Sequence, residues 1–219
     1  MLRLSKVALT TFPFPIPTDG RSKVLMLKRS GMLLLAMMAA ALVGCAHSPQ
    51  QLTVQPQINK PLSPVARQQP VSVKVQDTRQ NKILGTRGGI YPDSSNITIS
   101  DSALPAIRQQ VEQALRQLGF NVVPEGSPNA NSLTLNLAEL SYQSPKDSVY
   151  VTQADISATF VAEASNMNRN YQGRFTSSLQ QRFGYAPNQQ TNTKLVTDVM
   201  SDALTRVFQD PMILQTLQQ

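Results

Sequence analysis

The chain has one cysteine, one histidine and no tryptophan, and aromatic residues make up 5% of its 219 positions. A lone cysteine forms no disulfide within the chain, so the fold has to rest on a hydrophobic core. Zinc needs several His, Cys or carboxylate ligands converging on one point. The single histidine, His47, stands two residues from the single cysteine, Cys45. The rest of the chain therefore offers neither an imidazole for metal nor a Ser-His or Cys-His nucleophile. No basic run interleaves with aromatics, which removes the usual footprint of nucleic-acid binding. Long apolar runs are missing too: Gly31 to Val43 spans 13 residues, where a membrane-crossing helix needs about 20. The sequence calls for no metal and no cofactor.

That 13-residue run nevertheless divides the chain. Lys28 and Arg29 precede it, and Leu42, Val43, Gly44 and Cys45 close it. Basic start, apolar core and small residues at the cut make up a secretory signal. The ending Leu-Val-Gly-Cys resembles the bacterial lipobox, in which the cysteine is acylated and becomes the first residue. Residues 26–44 are read as the signal peptide, opening at Met26. Residues 1–25 fit no part of one, because Pro13, Pro15 and Pro17 break a helix and Asp19 opposes the basic start. They are expected to be a non-native or dispensable leader. Ala46 in place of aspartate after the cysteine resembles the sorting pattern for the outer membrane. The expected location is its periplasmic face, through a lipid anchor.

Charge changes meaning at the same cut. The whole chain carries a net +7, but six of its 20 basic residues and one of its 13 acidic ones precede Cys45. From Cys45 onward 14 basic residues face 12 acidic ones, a net +2. The apparent basicity belongs to the discarded part.

Residues 45–70 carry prolines at 49, 56, 61, 64 and 70 among glutamines and read as an extended tether, with Leu52-Thr53-Val54 as a short strand within it. Residues 71–219 are enough for one domain, since chains of about 150 residues bury about 68–70% of their unfolded surface. Val71 to Val75 alternates as a strand. Asp101 and Ser102 offer caps to a helix over 103–118, which Gly119 would end. Strict alternation predicts strands around Leu133–Leu137, Ala154–Ala162 and Tyr171–Leu179, the last two joined by a polar hairpin loop. Leu195 to Phe208 forms a broad apolar stripe on a second helix opening at Thr191, and a short helix follows Asp210-Pro211. The expected fold class is α+β: a two-layer sandwich of a mainly antiparallel sheet against two amphipathic helices.

Chemistry-bearing residues are sparse. Asp77, Asp93, Asp101, Asp147, Asp155, Glu139 and Glu163 sit mostly in turns or on polar strand faces, where caps and solvated charges belong. Asp77 and Arg79 stand out at the exit of the first strand, beside a loop with glycines at 85, 88 and 89. With Arg87 they form a candidate polar recognition patch; the plainer reading is a turn aspartate and a surface arginine, worth at most about 1 kcal/mol as an exposed pair. Tyr142, Tyr150, Tyr171 and Tyr185 are either a contact surface or sheet-edge cover.

The lipobox, the proline-bearing tether, the strand ending in Asp77-x-Arg79, the helix with Val111-x-x-Ala114-Leu115-x-x-x-Gly119-Phe120, three strands and the closing helix together resemble the YajG-type lipoprotein family of Gram-negative bacteria. That resemblance implies an outer-membrane or periplasmic lipoprotein without established enzymatic activity, and it brings no catalytic residues. The expectation is a non-enzymatic envelope lipoprotein that binds an envelope protein or the cell wall through its sheet edge or loops. The alternative is a carrier of a small ligand or lipid in a cleft between helix and sheet; a carboxylate hydrolase would need two of the acids above in one cleft.

Overall fold

The computed structural model describes residues 48–87, 95–144 and 153–219. The leader, the signal, the lipobox residues Leu42, Val43 and Gly44, and Cys45 itself lie outside the described residues, as do His47, Gly88, Gly89, Asp93, Asp147 and Tyr150.

Among the described residues, eight strands and three helices follow one another: β1 Gln50–Leu52, β2 Pro70–Asp77, β3 Gly85–Thr86, β4 Asn96–Ile99, α1 Ala103–Gln117, β5 Asn121–Val123, β6 Asn131–Gln143, β7 Gln153–Ser165, β8 Asn170–Arg182, α2 Gln189–Gln209 and α3 Pro211–Gln218. They build a five-stranded sheet in the order β5-β2-β6-β7-β8 and a small sheet in the order β1-β4-β3. The architecture is the expected α+β sandwich. Its antiparallel part is β6-β7-β8, whereas β2 runs parallel to both of its neighbours.

Alternation decides which face is covered. Leu133, Leu135 and Leu137 of β6 and Ala154, Ile156, Ala158, Phe160 and Ala162 of β7 are buried, in one core with Ile107, Val111 and Leu115 of α1 and Val199, Met200, Ala203 and Leu204 of α2. In β6 the alternation breaks at Ala138, where a bulge shifts the register between Leu137 and Glu139. The extra residue changes the parity, so Leu140 and Tyr142 still point inward.

The segment 45–70 is not a free tether from Gln50 onward. β1 pairs in parallel with β4, and Leu52 and Val54 are fully buried in the main core. The amides of Gln57 and Asn59 donate to Ser201 Oγ and Thr205 Oγ1 of α2, at 3.0 and 3.1 Å. The amides of Val65 and Ala66 donate to Leu118 O and that of Gln68 to Gly119 O, each at 2.9 Å. These three satisfy carbonyls that the end of α1 leaves without helical donors. Gly119 is required twice over: its φ is +92°, and an added Cβ would come within 2.7 Å of Ala66 O. Proline and glutamine do not prevent packing here, because every second residue from Leu52 to Pro56 faces inward while its neighbours stay in water.

Helix ends also differ in detail. Ser102 holds helical backbone angles and makes no side-chain cap; its hydroxyl meets Ser100 Oγ instead, at 2.7 Å. The long helix opens two residues before Thr191, at Gln189, because Asn188 is the cap and accepts from the Thr191 amide at 2.8 Å. Asp210 caps α3, accepting from the Met212 and Ile213 amides, with Pro211 at the position where its missing N–H costs nothing. No helix among the described residues is long and apolar enough to cross a membrane.

Candidate functional site

The face of the large sheet that points away from the helices is almost wholly polar. On β6 it presents Ser132, Thr134 and Asn136 before the bulge and Glu139, Ser141 and Gln143 after it. Register places Glu163, Thr159, Ser157 and Asp155 beside them on β7 and Gln172, Thr176, Ser178 and Gln180 on β8. Cross-strand bonds tie these side chains together: Thr159 Oγ1 and Thr176 Oγ1 lie 3.0 Å apart. Gln172 Nε2 donates to Glu163 Oε1 at 2.9 Å and Gln180 Nε2 to Asp155 Oδ1 at 2.7 Å. Asn136 Oδ1, in the middle of this face, is buried and lacks a hydrogen-bond partner.

A groove of about 430 Å³ opens at the bulged end of that face, between the loop after β2 and the stretch Ala138 to Ser141. Arg79 and Arg174 both line it. Arg79 is not the surface arginine of the plainer reading, for its side chain is 3% exposed. It grips Asp77 through two parallel bonds, Nε to Oδ1 and Nη2 to Oδ2, each 2.9 Å, the fork geometry that suits guanidinium and carboxylate. Lys82 Nζ adds a third cationic contact to Asp77, at 2.9 Å. Burial alone would raise the Asp77 carboxyl, but the hydrogen bonds from Arg79 and Lys82 outweigh it and hold it down to about 2. Arg79 Nη1 is buried and has no hydrogen-bond partner within the protein.

Arg87 is placed elsewhere. Its two terminal nitrogens donate to Ser48 O at 3.2 Å and Pro187 O at 3.4 Å, fastening the start of the described chain to the loop before α2. Beside it runs a buried polar chain in which Tyr142 Oη meets Asn192 Oδ1 at 3.0 Å and Asn192 Nδ2 lies 2.7 Å from the Gln50 amide. With its oxygen turned toward Arg87 Nε and the Gln189 amide, Gln50 sits 3.0 Å from each. Burial pushes the Tyr142 phenol well above its ordinary value, against the pull of Arg87, so it keeps its proton. The patch expected from Asp77, Arg79 and Arg87 thus divides into a groove pair and an anchoring arginine. Tyr142→Phe leaves the Asn192 amide short of one partner in a buried site; a loss of about 1–3 kcal/mol in urea unfolding is expected.

The remaining tyrosines and acids take ordinary places. Tyr171 Oη bonds Asp210 Oδ2 at 3.0 Å, Glu139 pairs with Arg174 at 3.4 Å, and Tyr185 is 81% exposed. The described residues contain no group of three or more His, Cys, Asp or Glu able to hold a metal. Between α2 and the sheet, where a carrier would need its cleft, Met200, Ala203, Leu204, Ile156 and Phe160 fill the space, none more than 1% exposed. Sequence reasoning found Asp77 and Arg79 but missed the polar face and Asn192, although alternating Ser, Thr, Gln and Asn in all three long strands signalled the former.

A family model described as an uncharacterized lipoprotein matches residues 56–218, from Pro56, four residues after the end of β1, to the end of α3. The chain belongs to this lipoprotein family. Membership makes it an envelope-associated lipoprotein, and no activity is part of the family's description. No curated protein matches the sequence. Among solved structures, the family member is similar to a protein from Xanthomonas campestris at 12% identity, over 78% of this chain and 95% of that one, with a TM-score of 0.44. Rare lipoprotein B from Shewanella oneidensis is similar at 10% identity, over 66% and 96%, with a TM-score of 0.44. A PelC dodecamer from Paraburkholderia phytofirmans is similar at 15% identity, over 68% and 96%, with a TM-score of 0.31.

Proposed function

We propose that this lipoprotein is of the YajG type, held at the periplasmic face of the outer membrane by acyl chains on Cys45, and that it acts by binding and not by catalysis. Its partner is another envelope protein or the cell wall, and the polar sheet face with the Arg79 groove is the surface that meets it. The observation that supports this reading is the polar face of β6, β7 and β8, with Arg79 and Arg174 lining a groove of about 430 Å³ at its bulged end. A surface of hydrogen-bonding side chains with a cationic recess suits a polar partner rather than an apolar one.

Anchorage supports the same reading from the other side. Each buried CH₂ of an acyl chain contributes about 0.8 kcal/mol, so two or more chains hold a protein stably where one is marginal. Cys45→Ser is expected to move the protein from the membrane fraction to the soluble periplasm, read by fractionation and by loss of acyl mass; an unchanged soluble location in both forms would sink the anchor. Photo-crosslinkers placed at Ser141 and Gln172 on the polar face, with one at Asp198 on α2 as the comparison, test the surface. A discrete product from the first two supports the reading, and a product from Asp198 alone overturns it.

A further inference from the structure

We infer that the end of the domain carrying Tyr185, Phe183 and Arg182 rests against the lipid surface itself, so that the domain is docked on the membrane and not merely leashed to it. The inference rests on acylation of Cys45 as proposed above. Only Ala46 and His47 stand between Cys45 and Ser48, and three residues span at most about 11 Å. Ser48 O is held by Arg87 Nη1, and the same guanidinium holds Pro187 O. Tyr185 lies two residues from Pro187, within about 7 Å of chain. An acylated Cys45 therefore brings this end down to the headgroups, and the packing of residues 50–69 removes the slack that a tether would have supplied.

The side chains at that end suit the position. Tyr185 is 81% exposed, a large ring with a polar tip of the kind enriched at membrane–water boundaries. Phe183 is partly buried and packs against the core, and Arg182 is exposed at the end of β8, where its long side chain can reach anionic headgroups while its stem covers apolar surface. The most exposed large apolar side chain among the described residues, Met167, is 87% exposed and stands at the opposite end of β8, in the loop between β7 and β8. The length of β8 separates it from Tyr185, roughly 40 Å for 13 residues. Position distinguishes the two: Tyr185 adjoins the anchor and Met167 is far from it.

The absence of tryptophan makes the test clean. The full lipidated protein carrying Tyr185→Trp is bound to vesicles of phosphatidylethanolamine and phosphatidylglycerol with bromine-labelled acyl chains, and Met167→Trp is treated alike. Bromine is expected to quench the emission of the Tyr185→Trp protein, whose ring would sit at the lipid boundary, and to leave that of Met167→Trp unchanged. Acyl mass on Cys45 together with unquenched, water-like emission from Tyr185→Trp overturns the docking while the anchor stands. A missing acyl mass on Cys45 overturns the anchor and the docking together.

Discussion

A chain that begins at Val71 is expected not to unfold as a cooperative unit, although the sequence pattern places the domain start there. Residues 50–69 contribute Leu52 and Val54, both fully buried, and burial of two such side chains is worth about 3–6 kcal/mol. They also supply β1, the donors to Ser201 and Thr205 and the three amides at the end of α1. Domains hold only about 5–15 kcal/mol in total, so this loss takes most of the stability. Urea unfolding followed by circular dichroism, comparing chains that begin at Cys45 and at Val71, reads the difference. A sharp transition at the same urea concentration in both would show that the segment is dispensable.

Arg79→Ala should be the most damaging single substitution in the groove. It leaves Asp77, whose side chain is 15% exposed, with Lys82 alone, and breaking a buried pair costs about 3–5 kcal/mol; the Lys82 contact brings the expectation to about 3. The double change Asp77→Asn with Arg79→Met should cost less than Arg79→Ala, because no charge is then left alone. Acid provides an independent reading. The Asp77 carboxyl is held down to about 2 in the fold against 3.8 for the free group. A depressed carboxyl contributes stability in full above the unfolded value and loses it as the pH falls toward the folded value. Between about pH 4 and pH 2 the protein should lose about 1–2 kcal/mol through this group, discounted for its contact with water. Asp77→Asn should flatten that part of the stability–pH curve; an unaltered slope would show that Asp77 is not held as described.

Elements that bury one face announced themselves. The stripe from Leu195 to Phe208 and the alternation of β7 are legible because their periods, 3.6 and 2, report burial directly. What could not be read depends on residues far apart in sequence. Leu52 and Val54 alternate correctly, but their proline and glutamine neighbours have the composition of a linker, and what makes the segment part of the domain lies far away in sequence: β4, the core, and the hydroxyls of Ser201 and Thr205. The bulge at Ala138 leaves no mark except that two alternating stretches of β6 differ in parity. Asp77 and Arg79 look like a turn locally, and Arg79 is buried because the loop after β2 closes over β6. Arg87 reaches partners 39 and 100 residues away, which no local pattern encodes.

The parallel strand β2 sets an order of assembly. Hairpin-linked β6, β7 and β8 are neighbours in sequence and can pair within microseconds. β2 is made before either of its partners, and Val71 finds Asn131 and Val122 only when the chain has returned twice to the sheet. Closing such loops costs entropy before any contact compensates it. The β6-β7-β8 meander is thus expected to form first as a template, with the amino-terminal segment, β2 included, laid onto it afterwards.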